Sequence, residues 1–374
     1  MIFIHCPRCF NREEKYFYQT PTKIICRRCI HLDGLLVDPS LNVKGSLFNA
    51  DLPFELSAVQ KQASEWILRY GFDHSLLVDA VCGAGKTEMM VPFVEAALQK
   101  GLKVGWMIAR RQVVIQLKER LQTIFPEMKV IGVCQGYTTD LVGDLVLCTA
   151  HQLYRFPNYF DVLIIDEPDA FPYVNNPLLE GLAKASCHGH FIYLTATPTP
   201  DLLSTVDKTI TVHRRPHFRD LVVPEVRYMP GWLMRFWLAF LIRKQPGPWL
   251  IFVPSIRLAQ QLARFLNCDV ITSKTENSER IIQRFSNQLS QTLVSTTILE
   301  RGVTFDEVSV VVFMASSSTF TDAALIQMNG RVGRSFNREK GVCYFLCDRK
   351  SVIVDKTIAK ILGHNQAVSY VSEN

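Results

Sequence analysis

Two short stretches of the sequence carry residue types suited to phosphate chemistry. In the first, AVCGAGKTE, a glycine-rich loop leads into Lys86 and Thr87. The backbone N–H groups of such a loop wrap phosphates, the lysine ammonium meets the β and γ phosphates, and the following hydroxyl holds magnesium. Ala80 stands where the usual pattern has its first glycine, and a methyl group there costs little unless φ must be positive. The predicted nucleotide-binding residues of this loop are Gly83, Ala84, Gly85, Lys86, Thr87 and Glu88.

A pair of carboxylates in LIIDEPDAF supplies the second half of a hydrolysis site. Asp166 and Glu167 end an apolar run 80 positions after Lys86. One carboxylate there can anchor magnesium, and its neighbour can orient or deprotonate the attacking water. We therefore predict that Thr87 and Asp166 hold Mg²⁺ and that Glu167 activates water for ATP hydrolysis. An ordinary strand-end turn is the alternative, because Asp and Pro both favour turns.

Four cysteines near the N-terminus have the spacing of a metal site. The pairs Cys6/Cys9 and Cys26/Cys29 form two C-x-x-C hooks separated by 16 residues. Four thiolates fill the tetrahedral shell of zinc and leave no position for a reacting water, so a structural zinc is predicted. The cations and rings around the hooks are suited to backbone contact and base stacking, with a solvated face as the alternative. They are Arg8, Lys15, Tyr16, Phe17, Tyr18, Lys23, Arg27 and Arg28.

Composition narrows the class of protein. The chain has 374 residues, of which 48% are hydrophobic and 20% charged, as in ordinary globular domains. The net charge of +6 suits a polyanionic partner, but it is spread too widely to prove one. No secretory signal precedes the eleven cysteines, so reduced thiols and a cytosolic location are expected. The longest apolar stretch, GWLMRFWLAFLI, contains Arg235 and favours a buried or amphipathic helix.

Short apolar runs alternate with helical patterns in two consecutive series. Strands with helices between them predict parallel sheets covered on both faces, so the expected fold class is α/β. A polar, basic passage over residues 206–219 separates the two series. The predicted organisation is a zinc module at 1–35, a linker at 36–52, a first α/β domain at 53–215 and a second at 216–374.

With these sites placed, the ordered set of strings from about Leu56 to Leu346 resembles the superfamily 2 helicases. The resemblance implies two RecA-like domains in tandem, with ATP hydrolysed in the cleft between them. It implies that Gln60 recognises adenine through its amide. In the family the string TAT links the nucleotide and nucleic-acid sites, so Thr195 and Thr197 are expected to contact Asp166 or Asp169.

The same resemblance assigns residues in the second half of the chain and along a bound strand. In QMNGRVGR it places Gln327 in the catalytic set and makes Arg331 and Arg334 arginine fingers, whose charge stabilises the transition state. Hydroxyls and cations that read phosphates imply sequence-tolerant strand binding. The candidate nucleic-acid contacts are Arg110, Arg111, Thr149, His151, Gln152, Thr296, Thr297 and Arg301.

The four-cysteine module placed ahead of these strings looks like the ComFA family of late competence proteins from naturally transformable Gram-positive bacteria. That resemblance implies an ATP-driven motor on single-stranded DNA, peripheral at the inner face of the cell membrane. It implies a ComFC-like partner and a ComEC-like channel, and it leaves self-association into a homo-oligomer open. Two alternatives stand beside it: a duplex-separating helicase of the replication-restart type, and a zinc-dependent DNA-binding adaptor with a nucleotide switch. Pro168 departs from the family pattern, which more often has a small aliphatic residue there.

Overall fold

The computed structural model describes residues 5–41, 45, 48–245, 247–300, 305, 308–333 and 341–373. Its helices are α1 (Ala58–Tyr70), α2 (Lys86–Gln99), α3 (Arg111–Ile124), α4 (Pro177–Ser186), α5 (Pro200–Thr205), α6 (Gly231–Lys244), α7 (Ile256–Leu266), α8 (Ser278–Ser286), α9 (Asp322–Asn329) and α10 (Val352–Gln366). Its strands are β1 (Phe17–Gln19), β2 (Ile24–Cys26), β3 (Leu76–Ala80), β4 (Val104–Ile108), β5 (Val130–Val133), β6 (Leu145–Thr149), β7 (Phe160–Asp166), β8 (Cys187–Thr195), β9 (Lys208–Val212), β10 (Glu225–Tyr228), β11 (Trp249–Phe252), β12 (Asp269–Ile271), β13 (Thr292–Ser295), β14 (Ser309–Phe313), β15 (Cys343–Cys347) and β16 (Val371–Glu373). Short 3-10 turns lie at Glu14–Tyr16, Ala150–Arg155 and Thr297–Leu299.

One compact unit comprises Met1–Ala80, Gly85–Val212 and Val371–Asn374. Its main sheet has the order β16-β9-β3-β8-β7-β4-β6-β5, and every neighbouring pair except β16 and β9 is parallel. The predicted parallel α/β architecture is confirmed. Strand β9 lies within the polar, basic passage over residues 206–219 that separates the two predicted series. Alternating Thr209 and Thr211 are buried there, so the strand lacks the apolar run that reveals the others.

The second unit comprises Val81–Ala84 and His213–Tyr370. Its sheet has the order β10-β15-β14-β11-β13-β12, and all the pairs are parallel. Apolar clusters pack against the sheet, one with α9 and another with α6 and α7. The second predicted α/β series is therefore also confirmed.

The N-terminal module packs into the core of the first unit. Its four cysteines belong to the same buried cluster as Phe156, Leu179 and Leu182. The following segment is anchored as well, because Val37 and Phe48 are buried. The predicted domain boundaries stay predictions, but the module and its following segment are held by the first unit.

The long apolar stretch forms helix α6, as predicted, and the helix carries apolar side chains on its exposed face as well as on its buried one. Met234, Leu238 and Leu241 are buried, whereas Trp232 and Phe236 are exposed. Within the described part of the chain, every helix is too short or too polar to cross a bilayer.

Candidate functional site

The phosphate loop joins β3 to α2 with the geometry that its glycines allow. Gly83 and Gly85 have φ of 82° and 80°, in the left-handed region that favours glycine. Ala80 is the last residue of β3, in extended backbone, so its methyl group is tolerated. Helix α2 begins at Lys86 immediately after Gly85 and therefore turns its first N–H groups toward the loop. These features fit a bound polyphosphate.

Two charged residues in the first turn of α2 are held by defined partners. The Lys86 Nζ donates a hydrogen bond to the Ala80 carbonyl oxygen at 2.9 Å, so the ammonium lies across the loop. The Glu88 carboxylate is buried and forms an ion pair with Arg120 of α3. Glu88 is thus placed beside the loop, where it anchors α2 to α3, and its predicted contact with nucleotide stays a prediction.

The Gln60 amide is fixed against the loop from α1. Its Oε1 accepts from the Ser57 N–H at 3.0 Å in a capping box that starts the helix. Its Nε2 lies so close to Gly85 that a Cβ built on that glycine would be 2.3 Å away. The structure therefore places Gln60 next to the nucleotide-binding loop, whereas its contact with adenine stays a prediction.

Asp166 and Glu167 stand at the end of β7, two strands from β3 in the sheet. Burial first, and then the charge of Glu167, raises the pKa of Asp166 to about 7, while Lys86 opposes the shift. A divalent cation would favour the ionised carboxylate, so the donor set suits Mg²⁺. Glu167 has φ of 57°, and its N–H donates to the Leu194 carbonyl oxygen at 2.8 Å. That unusual backbone conformation turns the chain sharply at the predicted catalytic carboxylate.

A hydroxyl network connects the ends of β7 and β8. The Thr195 and Thr197 Oγ1 atoms each donate to Asp169 at 2.6 Å, one to each carboxylate oxygen. The Thr197 N–H donates in turn to the Thr195 Oγ1 at 3.0 Å. Of the two predicted contacts of the TAT string, the structure shows the one with Asp169.

The residues of the first unit that are predicted to contact a nucleic-acid strand follow β4 and β6. They lie at the same carboxyl edge of the sheet as the phosphate loop. Arg110 and Arg111 follow β4, whereas Thr149 ends β6 and leads to His151 and Gln152. Neighbouring strands lie about 4.8 Å apart, which puts β4 about 14 Å and β6 about 19 Å from β3. The structure therefore gathers the predicted hydrolysis residues and these candidate nucleic-acid contacts along one edge of the sheet.

Two of these candidates have distinctive surroundings. The Arg111 Nε donates to the Gln135 carbonyl oxygen at 2.8 Å, and its guanidinium lies over the Tyr137 ring. Partial withdrawal of the ring from water, followed by the proximity of His31, lowers the pKa of His151. A neutral His151 can form hydrogen bonds but carries no positive charge.

In the second unit, the structure places some predicted residues and leaves others outside the described ones. Thr296 and Thr297 follow β13 and are half-buried. Gln327 and Arg331 are buried, and the Arg331 Nε donates to the Glu300 carbonyl oxygen at 3.1 Å. Arg301 and Arg334 lie outside the described residues.

Arg215 is a structurally important residue that the sequence did not single out. It is 2% exposed, and its Nη1 donates to the carbonyl oxygens of Val332 and Gly333 at 2.8 and 2.6 Å. It thereby fixes the backbone of the predicted arginine-finger string. The sequence does not distinguish Arg215 from the basic residues around it. An arginine that donates to backbone carbonyl groups also has no characteristic spacing to other residues.

The four cysteines meet the geometric requirement of a zinc site. The Sγ atoms of Cys6 and Cys29 lie 3.6 Å apart, those of Cys9 and Cys26 lie 3.8 Å apart, and all four lie within 4.8 Å of one another. A tetrahedron with Zn–S bonds of about 2.3 Å has edges of about 3.8 Å. Burial raises the pKa of Cys9 to about 12, so a bound cation would have to displace thiol protons. The thiols fit zinc, with no further protein ligand needed.

Comparisons with known proteins agree with this geometry. Residues 53–200 match the family described as "Type III restriction enzyme, res subunit", and residues 232–336 match "Helicase conserved C-terminal domain". The structure of S. cerevisiae Dbp5 bound to RNA and ADP BeF3 is similar, with a TM-score of 0.66 at 17% identity over 84% of this chain and 89% of that one. Mycobacterium smegmatis helicase Lhr bound to ssDNA and AMP-PNP has a TM-score of 0.61 at 16% identity over 83% and 48%. The two family models place the chain among the superfamily 2 helicase-type ATPases, and the fold agrees with them.

Two relatives that match over most of both chains identify the family within this class of ATPases. The chain is 34% identical to the competence protein ComFA of Streptococcus pneumoniae, over 97% of this chain and 90% of the relative. It is 31% identical to the competence protein ComFA of Bacillus subtilis, over 94% and 83%. The chain belongs to the ComFA family.

Proposed function

We propose that this protein is an ATP-dependent translocase that moves along single-stranded DNA and drives DNA uptake during natural transformation. The observation that carries the proposal is the shared sheet edge, where the phosphate loop, Asp166 and Glu167 stand in line with the candidate strand contacts after β4 and β6. The names of the relatives, which are competence proteins, supply the biological setting. A ComFC-like partner, a ComEC-like channel and a position at the inner face of the membrane belong to the same proposal.

The residues of the first unit divide the chemistry among them. Lys86 and the N–H groups at the start of α2 bind the phosphates, and Thr87 and Asp166 hold Mg²⁺. Bound Mg²⁺ would neutralise charge on the phosphate oxygens. Glu167 accepts the proton of the attacking water. In this proposal Arg331 and Arg334 of the second unit complete the ATP site between the two domains.

For ATP hydrolysis to move single-stranded DNA, the nucleotide site must be connected to the residues that bind the DNA. Asp169 lies two residues after Glu167 and accepts from both threonine hydroxyls of the string after β8. A change at Glu167 on hydrolysis would therefore alter the orientation of Asp169 and the path of the chain after Thr197. We expect this network to carry the nucleotide state along the sheet edge.

The decisive test is the ATPase rate with single-stranded DNA, duplex DNA and RNA. Wild type should be stimulated most by single-stranded DNA, and Lys86→Ala and Glu167→Gln should each abolish the stimulated rate. The matched controls are Lys356→Ala and Glu127→Gln, which change exposed residues and should keep the wild-type rate. Absence of stimulation by single strands, or an active Lys86→Ala variant, would disprove the motor.

Further assays separate the motor from its alternatives. A translocase should displace streptavidin from biotinylated single strands while leaving a blunt duplex intact, whereas a replication-restart helicase would separate the duplex. Negligible ATP turnover at saturating single-stranded DNA would indicate an adaptor with a nucleotide switch. Stimulation by RNA alone would indicate RNA remodelling instead.

A further inference from the structure

A buried arginine connects the turn after β6 to the segment that follows the four-cysteine module. Arg155 is 9% exposed, and its guanidinium has hydrogen bonds on two separate elements. Its Nε donates to the Gln152 Oε1 at 2.6 Å, and its Nη1 donates to the Leu35 carbonyl oxygen at 3.1 Å. One rigid side chain thus links the candidate strand contact Gln152 to residues 33–37, which we call the strap.

Two further hydrogen bonds, one from a side chain and one from the backbone, hold the strap to the turn. The Tyr154 hydroxyl donates to the Asp33 carbonyl oxygen at 2.5 Å, and the Val37 N–H donates to the Arg155 carbonyl oxygen at 2.7 Å. Gly34 permits the close approach, because a Cβ built there would lie 2.6 Å from the Arg155 Nη1. Gly34 also has φ of +145°, which other residues rarely adopt. The strap position is therefore tightly specified.

The cysteine hooks fix the start of the strap. The Leu32 N–H donates to the Cys29 carbonyl oxygen at 3.1 Å, and the Arg8 Nη2 donates to the Leu32 carbonyl oxygen at 2.5 Å. Both hooks are thus tied to the residue that immediately precedes Asp33. A displacement of the hooks would be transmitted within a few residues to Arg155.

The bond from Arg155 determines what Gln152 can offer to a ligand. A glutamine amide has one acceptor oxygen and one NH₂ donor group. Because Oε1 accepts from the guanidinium, the NH₂ group is the part of the amide available to a ligand, and it can only donate. Phosphate oxygens only accept, so the oriented amide matches a nucleic-acid backbone and not the donor groups of bases.

We propose that Arg155 is a positioning residue for strand binding, which orients the Gln152 NH₂ group toward a backbone phosphate and is itself held by the strap of the four-cysteine module. This inference rests on the proposed function, because it assumes that Gln152 contacts single-stranded DNA. A planar guanidinium is needed, since a lysine ammonium on a flexible stem cannot hold the Gln152 oxygen and the strap in one fixed geometry. The module therefore acts on strand binding through the first unit's own turn.

A double-mutant cycle tests this proposal with the full-length chain. The variants are Arg155→Lys, Gln152→Ala and the double substitution, and the measurement is the Kd for fluorescein-labelled oligo-dT by anisotropy without nucleotide. Each single variant should weaken binding about fivefold to tenfold, the effect expected for the loss of one ordinary hydrogen bond. The Kd of the double variant should lie within about twofold of the higher of the two single-variant Kd values, because Arg155 acts through Gln152.

Two further variants separate positioning from simple destabilisation. Tyr154→Phe removes a hydrogen bond to the strap but keeps the bond between Arg155 and Gln152, so it should lower the Tm while leaving the Kd within about twofold of wild type. Gly34→Ala should weaken binding as Arg155→Lys does, with bound zinc unchanged by mass spectrometry and with no additional loss in the Gln152→Ala background. Affinity for a fluorescent ATP analogue should stay the same throughout.

Failure of this inference can be distinguished from failure of the proposed function. If wild type does not bind oligo-dT, both are overturned. If wild type binds but the effects of Arg155→Lys and Gln152→Ala multiply to about 25-fold to 100-fold, the residues act independently and the positioning role is wrong. An unchanged Kd for Gln152→Ala overturns the inference while leaving the translocase intact.

Discussion

The four-cysteine module packs closely against Gly181 of α4, and Gly181→Ala should disrupt this packing. A Cβ built on Gly181 would lie 1.8 Å from the Cys9 carbonyl oxygen. An ordinary carbon–oxygen contact is roughly 3.3 Å, so α4 and the first cysteine hook would have to separate by about 1.5 Å. Overpacking of this kind costs about 1–3 kcal/mol of the free energy of unfolding.

Differential scanning fluorimetry and limited proteolysis measure the result. For a unit of this size, the cost should lower the Tm by about 2–12 °C. Proteolysis should release an N-terminal fragment sooner than in wild type. The control is Gly363→Ala in α10, where a Cβ would meet nothing within 4 Å. Because alanine is the better helix former by about 0.5–1 kcal/mol, this control should leave the Tm unchanged or raise it by a few degrees.

The outcome that refutes this reasoning is a Gly181→Ala variant with the Tm and the proteolytic pattern of wild type. It would mean that the module does not rest on α4 through the Cys9 backbone. A fall in Tm of similar size for Gly363→Ala would show that any added methyl group destabilises the chain, and the packing argument would again fail.

Three further perturbations test other parts of the structure. Thr197→Val removes one of the two hydroxyls bound to Asp169 and should lower the free energy of unfolding by about 1–3 kcal/mol in urea titrations. It should also lower the ATPase rate stimulated by single-stranded DNA, at temperatures where the variant is still folded. Burial, followed by the nearby His213, lowers the pKa of His364 to about 4. The unfolded side chain has a pKa of about 6.5, so on acidification the unfolded state binds a proton before the folded state does. The free energy of unfolding should therefore be unaffected by His364 above about pH 6.5 and should fall by about 2 kcal/mol at about pH 5. The fall should be smaller in His364→Gln. Chelation of the metal should lower the Tm, since the thiols lie in the core of the first unit, and native mass spectrometry should detect one zinc per chain.

Each of these tests has a result that would contradict it. A Thr197→Val variant as stable and active as wild type would show that Asp169 does not depend on the hydroxyl. Equal loss of stability at pH 5 in wild type and His364→Gln would assign the acid sensitivity to other groups. A Tm unaffected by a chelator that demonstrably removes the metal would separate the cysteine site from the core.

The chemical groups of the nucleotide site could be predicted from sequence because their spacing is local. Gly83, Gly85 and Lys86 form one loop, and left-handed backbone at the two glycines is a local steric requirement. Asp166 and Glu167 are recognisable because they end an apolar strand. The strands themselves could be predicted because strands of a buried parallel sheet are continuous apolar runs. Strand β9 escaped prediction, since its threonines are buried in the sheet without being apolar.

Residue types and spacing were therefore enough to predict a phosphate loop, a carboxylate pair and four thiols with the spacing of zinc ligands. Which of the remaining polar residues are hydrogen-bonded to one another follows only from how the elements pack. The threonine hydroxyls donate to Asp169 and not to Asp166. Arg155 and Arg215 are buried and form hydrogen bonds to segments that are distant in the sequence. The physical reason is that these bonds join an arginine or a carboxylate to atoms of other elements, several of them backbone carbonyls. Such partners are present at every position of a chain, so only the packing of the elements selects among them.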